Sequence, residues 1–149
     1  MHDQKEQKEE NAALLRRAWA AYASGDAETF AACVTDDWID HGPLGETSTL
    51  NDERKTMAVH RIAFPDKRTD IHQMVANDEL VACHCTTTAT HTGPYLDLEP
   101  TGHRVSVDEM MFNRIEDGKI AETWAITSGA GFYRQLTGRE APEDLDNQG

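Results

Sequence analysis

His103-Arg-Val-Ser-Val-Asp-Glu-Met-Met-Phe-Asn-Arg-Ile115 and Lys119-Ile-Ala-Glu-Thr-Trp-Ala-Ile-Thr127 are two extended runs joined by one tight-turn signal, Glu116-Asp117-Gly118-Lys119. An Asp-Gly pair between β-rich runs marks a hairpin. Upstream, Arg68 to Val75 and Leu80 to His91 read as two further strands with Asn77-Asp78 turning between them. The four are expected to pair mainly antiparallel. Strand parity puts Val105, Val107, Glu109, Met111 and Asn113 on one face and turns Asp108 to the other.

The N-terminal half changes period. Leu15, Ala18, Trp19 and Tyr22 fall at i, i+3, i+4 and i+7, one apolar stripe on a helix over about residues 4–23. Gly25 stops it, and Asp26 can cap a second helix, where Phe30, Cys33 and Val34 repeat the spacing. Asp37 to His41 reads as a short extended segment closed by Gly42-Pro43. A third helix starts near Ser48 to Asn51 and stops before Pro65, because a proline disfavours the helical region at the residue before it, Phe64. Thr92 to Gly102, with two prolines, reads as a loop at a pocket rim. Gly129 to Leu136 reads as a short terminal helix. Helices followed by strands indicate α+β rather than alternating βαβ. Residues 1–149 are expected to form one domain, with the polar ends 1–10 and 138–149 as flexible tails.

The 149 residues are 38% hydrophobic and 28% charged, with a net charge of -13. That acidity argues against nucleic acid, whose phosphates need clustered Lys and Arg, and against an anionic membrane surface. A neutral or apolar small molecule is the expected partner. The first ten residues lack an apolar signal core, and no run is long enough to span a membrane. Cys33, Cys83 and Cys85 are odd in number and lack a framework spacing, so reduced thiols in the cytoplasm are expected. On a strand, His84 faces away from Cys83 and Cys85, so no metal site is expected there.

Four stretches, in order, carry a family resemblance: Trp38-Ile-Asp-His-Gly-Pro43; Ala63-Phe-Pro-Asp66; Thr90-His-Thr-Gly-Pro94 with Pro100-Thr-Gly102; and Arg114-Ile-Glu-Asp-Gly-Lys-Ile120 followed by Glu122-x-Trp124. Over residues 12–136 the chain resembles the SnoaL-like polyketide cyclases (ester cyclases). The resemblance implies a cone-shaped α+β barrel, shared with scytalone dehydratase and ketosteroid isomerase. Three N-terminal helices would pack on a strongly curved sheet, with a short C-terminal helix. It also implies aldol-type ring closure without metal or organic cofactor, and a homodimer or higher homo-oligomer built on the outer sheet face. In the family an aspartate follows the tryptophan of Glu-x-Trp, and a histidine lies three residues before the arginine of Arg-Ile-Glu-Asp-Gly-Lys. Those positions are Ala125 and Met111 here, and a second acidic position is Ser128. Ala125 and Met111 cannot move a proton.

Parity supplies a substitute. If Met111 faces the pocket, Glu109 does too, and burial would raise its pKa toward general-base use. The candidate catalytic residues are therefore Glu109, His41 and His91. For Glu109 the alternative is a place at the cone mouth, bonded to a neighbouring polar group; for His41 it is a loop tie, and for His91 a loop anchor. Candidate substrate contacts are Trp38, His60, Phe64, Tyr95, Met111, Thr123 and Ala125, although a surface position on the helix is the alternative for His60. Trp19 reads as plain core and Trp124 as packing on the convex face. The expected function is cyclase- or isomerase-like acid/base chemistry on an apolar or polycyclic carbonyl compound. The alternatives are a non-catalytic binding protein, or a hydrolase, dehydratase or isomerase on the same fold.

Overall fold

A computed structural model describes residues 3–139; Met1, His2 and residues 140–149, including most of the expected C-terminal tail, lie outside the described residues. Four helices pack on one six-stranded sheet: α1 (Gln4–Ser24), α2 (Ala27–Cys33), β1 (Val34–His41), β2 (Thr47–Thr49), α3 (Leu50–Ala63), β3 (Arg68–Ala76), β4 (Leu80–Thr90), β5 (Arg104–Glu116), β6 (Lys119–Ile126) and α4 (Gly129–Thr137). The strand order is β2-β1-β6-β5-β4-β3. The expected α+β cone with a mainly antiparallel sheet is present. Among the described residues β1, over the expected extended segment, and β2 join the four expected strands, and β1 runs parallel to β6 whereas every other pairing is antiparallel. The sheet is also open, with β2 and β3 at its edges, rather than closed into a barrel.

Local chemistry explains the boundaries. Asp3 caps α1 by accepting a bond from the Lys5 N–H, so the helix starts at Gln4, as the expected span of about 4–23 has it, and takes in residues 4–10 that were also read as a polar tail. Gly25 ends it at φ 78°, a left-handed conformation that costs glycine little. Thr49 and Asp52 form a reciprocal capping box at the start of α3, and Phe64 leaves the helix before Pro65. Asp117 and Gly118 both take positive φ, which makes the β5–β6 turn type I′. The bulk of Val34 suits a strand better than a helix, and it opens β1 instead of closing α2.

Register shifts in the β3–β4, β5–β6 and β1–β6 pairings bend the sheet. On its inner side, Leu15, Ala18, Phe30, Trp38, Met57, Val81, Cys85, Met111 and Ile120 form the larger buried cluster. A smaller cluster of Ala63, Phe64, Ala89, Val105 and Leu136 closes the other end, with Tyr95, Leu98 and Phe132 against it. Gly93 lets the rim loop lie on the end of α3. Its N–H bonds the Ala63 carbonyl, and a β-carbon there would collide with the Ile62 carbonyl.

Asn11 and Asn113 are buried polar anchors. Asn11 donates to the Asn77 carbonyl and so ties α1 to the β3–β4 turn. Asn113 belongs to a chain in which the Trp38 indole N–H donates to Thr123, Thr123 donates to Asn113, and Asn113 donates to the Val81 carbonyl. Each link satisfies a group that would otherwise be costly to bury.

Candidate functional site

Between the two clusters lies a cavity of about 770 Å³, within the range that holds a small organic molecule. Its walls come from α1, α3, α4, the inner faces of β1 and β3–β6, and the rim loop through Tyr95 to Leu98. Most of the lining is apolar, with Trp19, Phe64, Val105, Met111, Phe132 and Leu136 prominent. Phe64, Tyr95 and Phe132 pack their rings mutually at centroid distances of 5.3–5.8 Å.

Among the ionisable side chains that line this apolar setting are Tyr22, Asp40, Glu53, His60, Lys67 and Glu109, with Tyr95, Asp97 and Tyr133 nearer the rim loop and α4. Burial raises the Asp40 carboxyl from 3.8 to about 7, helped by the negative charges of Glu53 and Glu109, while a bond from the His41 backbone N–H opposes the rise. Asp40 Oδ1 is buried and has no hydrogen-bond partner. Burial also raises Glu109, with Lys67 pulling the other way. Lys67 is lowered by burial to about 8. Its Nζ donates to His60 Nδ1 at 3.0 Å and sits 4.7 Å from the Tyr22 ring centroid. His60 is lowered by burial, and by Lys67, to about 3, so it is neutral at physiological pH and carries its proton on Nε2. The Tyr22 hydroxyl donates to Glu53 Oε2 at 2.6 Å, and burial holds the phenol well above its usual range. Asp40, Glu53 and Glu109 thus line one apolar space with the Lys67 amine, and the raised Asp40 makes proton transfer possible near neutrality.

Of the residues singled out from sequence, Glu109, Met111, Ala125, His60, Phe64 and Tyr95 line the cavity. His41, His91, Trp38 and Thr123 do not. His41 lies on the outer sheet face, where its Nε2 meets Glu122 at 2.9 Å and its ring stacks on Trp124 at 5.2 Å. His91 is fully buried and holds the rim loop, its Nδ1 accepting the Thr101 backbone N–H. Trp38 and Thr123 belong to the buried polar chain. Trp19, expected as plain core, borders the cavity, and His60, for which a surface position was the alternative, faces inward. Cys83 and Cys85 are buried, whereas His84 lies on the other face and bonds Asp108. No group of three or more His, Cys, Asp or Glu among the described residues is placed to hold a metal ion.

Asp40, Glu53 and Lys67 were missed from sequence, and two of them left a signal. Trp38 and Asp40 are two apart on β1, so an inward Trp38 brings Asp40 inward and sends His41 out. Glu53, Met57, His60 and Phe64 recur at four, three and four residues, one stripe along α3 and its cap. Lys67 left none; a lysine after Pro-Asp reads as solvated.

A bent open sheet wrapped by helices around an apolar cavity with inward acids places the protein among the cone-shaped α+β domains that bind small molecules. The sequence profile of the SnoaL-like polyketide cyclases matches residues 12–136, and the chain belongs to that family. Among solved structures, AclR of Streptomyces galilaeus, for which a hydroxylase role has been proposed, is 27% identical at a TM-score of 0.77. The match covers 92% of this chain and 99% of that one. IdmH of Streptomyces antibioticus, a proposed polyketide cyclase, is 24% identical (TM-score 0.72, 84% and 96% covered). A proposed SnoaL-like polyketide cyclase from Jannaschia sp. CCS1 shares the fold at 15% identity (TM-score 0.78, 93% and 99% covered). No curated protein matches in sequence. No helix among the described residues is long and apolar enough to cross a membrane.

Proposed function

We propose that this protein removes a proton beside the carbonyl of an apolar or polycyclic compound, without metal or organic cofactor, and that the resulting enolate closes a ring by an aldol-type step. One observation carries the reading. Asp40 lines an apolar cavity and is held at about 7, where a base is half ionised at working pH. Glu109, also raised, supplies the matching acid, and the Lys67 ammonium offsets charge growing on the enolate oxygen. Met111 and Ala125 form apolar wall where the resemblance would place the family's histidine and aspartate, so the proton-transfer roles fall to Asp40 on β1 and to Glu109, two residues before Met111 on β5. His41 and His91 have no part in this scheme.

The first step can be read without the natural substrate. In deuterated water, 2-tetralone should exchange its α-protons in the presence of the protein, at a rate that rises with pH through about 7 as Asp40 ionises. Exchange seen by proton NMR supports the reading. If 2-tetralone raises the melting temperature but does not exchange, the protein is a binding protein instead.

A second copy of the chain is the proposed partner on the outer sheet face. Met110, Phe112, Trp124 and Ile126 are exposed there and pair across β5 and β6, Met110 with Ile126 and Phe112 with Trp124. Arg114, Glu122 and Asp108 flank them with both signs of charge, which suits a self-complementary two-fold contact. Phe112→Asp should give a monomer in sedimentation where the parent chain gives a dimer; a monomeric parent overturns the assignment. The three buried thiols fit a reducing, cytoplasmic setting.

A further inference from the structure

The amine of Lys67 has surroundings unlike those of a surface lysine. It lines the cavity from the segment between α3 and β3, with its Nζ on His60 Nδ1 and beside the Tyr22 ring. Glu53 from α3, Glu109 from β5, Asp40 from β1 and Asp97 from the rim loop are the acidic groups lining the same space. His60 is neutral and accepts one N–H, which orients the amine. An amine held this way, in a largely apolar pocket beside proton donors and acceptors, is equipped to attack a carbonyl.

We infer that Lys67 is a nucleophile that condenses with the carbonyl group of the bound compound to form an iminium. This deepens the proposed function by replacing the enolate with an enamine and the Lys67 ammonium with its neutral amine, and it rests on the reading of the cavity as a site for an apolar carbonyl compound. In the step, the Nζ lone pair forms the new C–N bond and the carbonyl π pair moves to oxygen, which takes a proton from a carboxyl group. The C–O bond of this carbinolamine then breaks. A second proton leaves with the oxygen as water, one amine proton returns to a carboxylate, and the C=N⁺ bond remains. An iminium acidifies the α-carbon more than a carbonyl does, so a carboxylate such as Asp40 can then take the α-proton and leave an enamine as the carbon nucleophile. Water hydrolyses the final iminium and returns the free amine.

The depressed pKa of Lys67 gives the step a pH signature. The reactive neutral amine grows as pH rises through about 8 and disappears below it. The five lysines, Lys5, Lys8, Lys55, Lys67 and Lys119, allow an internal comparison. The intact protein is incubated with 2-naphthaldehyde, which is apolar and has no α-proton, then reduced with sodium borohydride and mapped by peptide mass spectrometry. The expected result is one adduct per chain on Lys67, with labelling that increases about tenfold between pH 7 and pH 9 and is absent in Lys67→Arg. Equal labelling of all five lysines, or an unchanged single adduct in Lys67→Arg, overturns the inference. Should Lys67→Arg fail to fold, the peptide map of the parent protein decides alone. Binding is followed separately by quenching of tryptophan fluorescence. Binding without an adduct overturns the iminium but leaves the carbonyl site standing, whereas neither binding nor an adduct overturns both.

Discussion

Asp40→Asn lowers α-proton exchange by about 10²–10⁴-fold, the usual contribution of a positioned general base. Asparagine keeps the shape and the bond from the His41 backbone N–H but cannot accept a proton at working pH. The rising limb of activity near pH 7 should vanish with it, because that limb reports Asp40 ionising. A rate within about threefold of the parent protein would remove Asp40 from the mechanism and pass the base role to Glu109.

The same substitution should stabilise the fold. In the native chain Asp40 holds its proton up to about pH 7, but when unfolded it releases it near 3.8. Between those values the folded state binds more protons, so stability falls as pH rises and the loss is complete above about 7. An asparagine at this position carries no charge to bury, and the variant should melt roughly 5 °C higher at about pH 8, with little difference at about pH 4. Gain of stability together with loss of rate marks a functional charge held at a cost to the fold. A variant that melts lower at the alkaline end would place the Asp40 carboxylate in water.

Trp38→Ala should cost about 3–5 kcal/mol, which is a large share of the ~5–15 kcal/mol that holds a domain of this size. Trp38 is 1% exposed and meets the Phe30 ring at 5.5 Å, almost perpendicular. Its indole N–H donates to Thr123 Oγ1 at 3.0 Å at the head of the chain through Asn113. Alanine leaves a void where the ring was and removes the donor from a buried hydroxyl. Urea unfolding measures the loss directly. A cost under about 1 kcal/mol would mean that Trp38 faces ligand or solvent instead of closed core. Phe30→Leu, at the other ring of the pair, should lose less because much of its volume is kept.

Much of the layout was legible because it rests on local rules. The Leu15–Tyr22 stripe, the Gly25 stop, the Phe64-Pro65 break and the Asp117-Gly118 turn act within a few residues, and each element they bound appears where expected. Strand parity reached further and put Glu109 on the same face as Met111. The β1–β6 pairing was not legible. A parallel contact between strands about 80 residues apart leaves no turn signal, and without it His41 looked like a rim residue.

The chain order alone therefore carried the helices, the antiparallel hairpins, the family and the absence of an acid or imidazole at 125 and 111. Packing decided what replaced them. Asp40 gained a raised pKa, and Lys67 a lowered one, only when α1, α3 and the curved sheet packed around them. A pKa is set by the solvent and charges that the fold brings near a group, and those neighbours come from segments far apart in sequence.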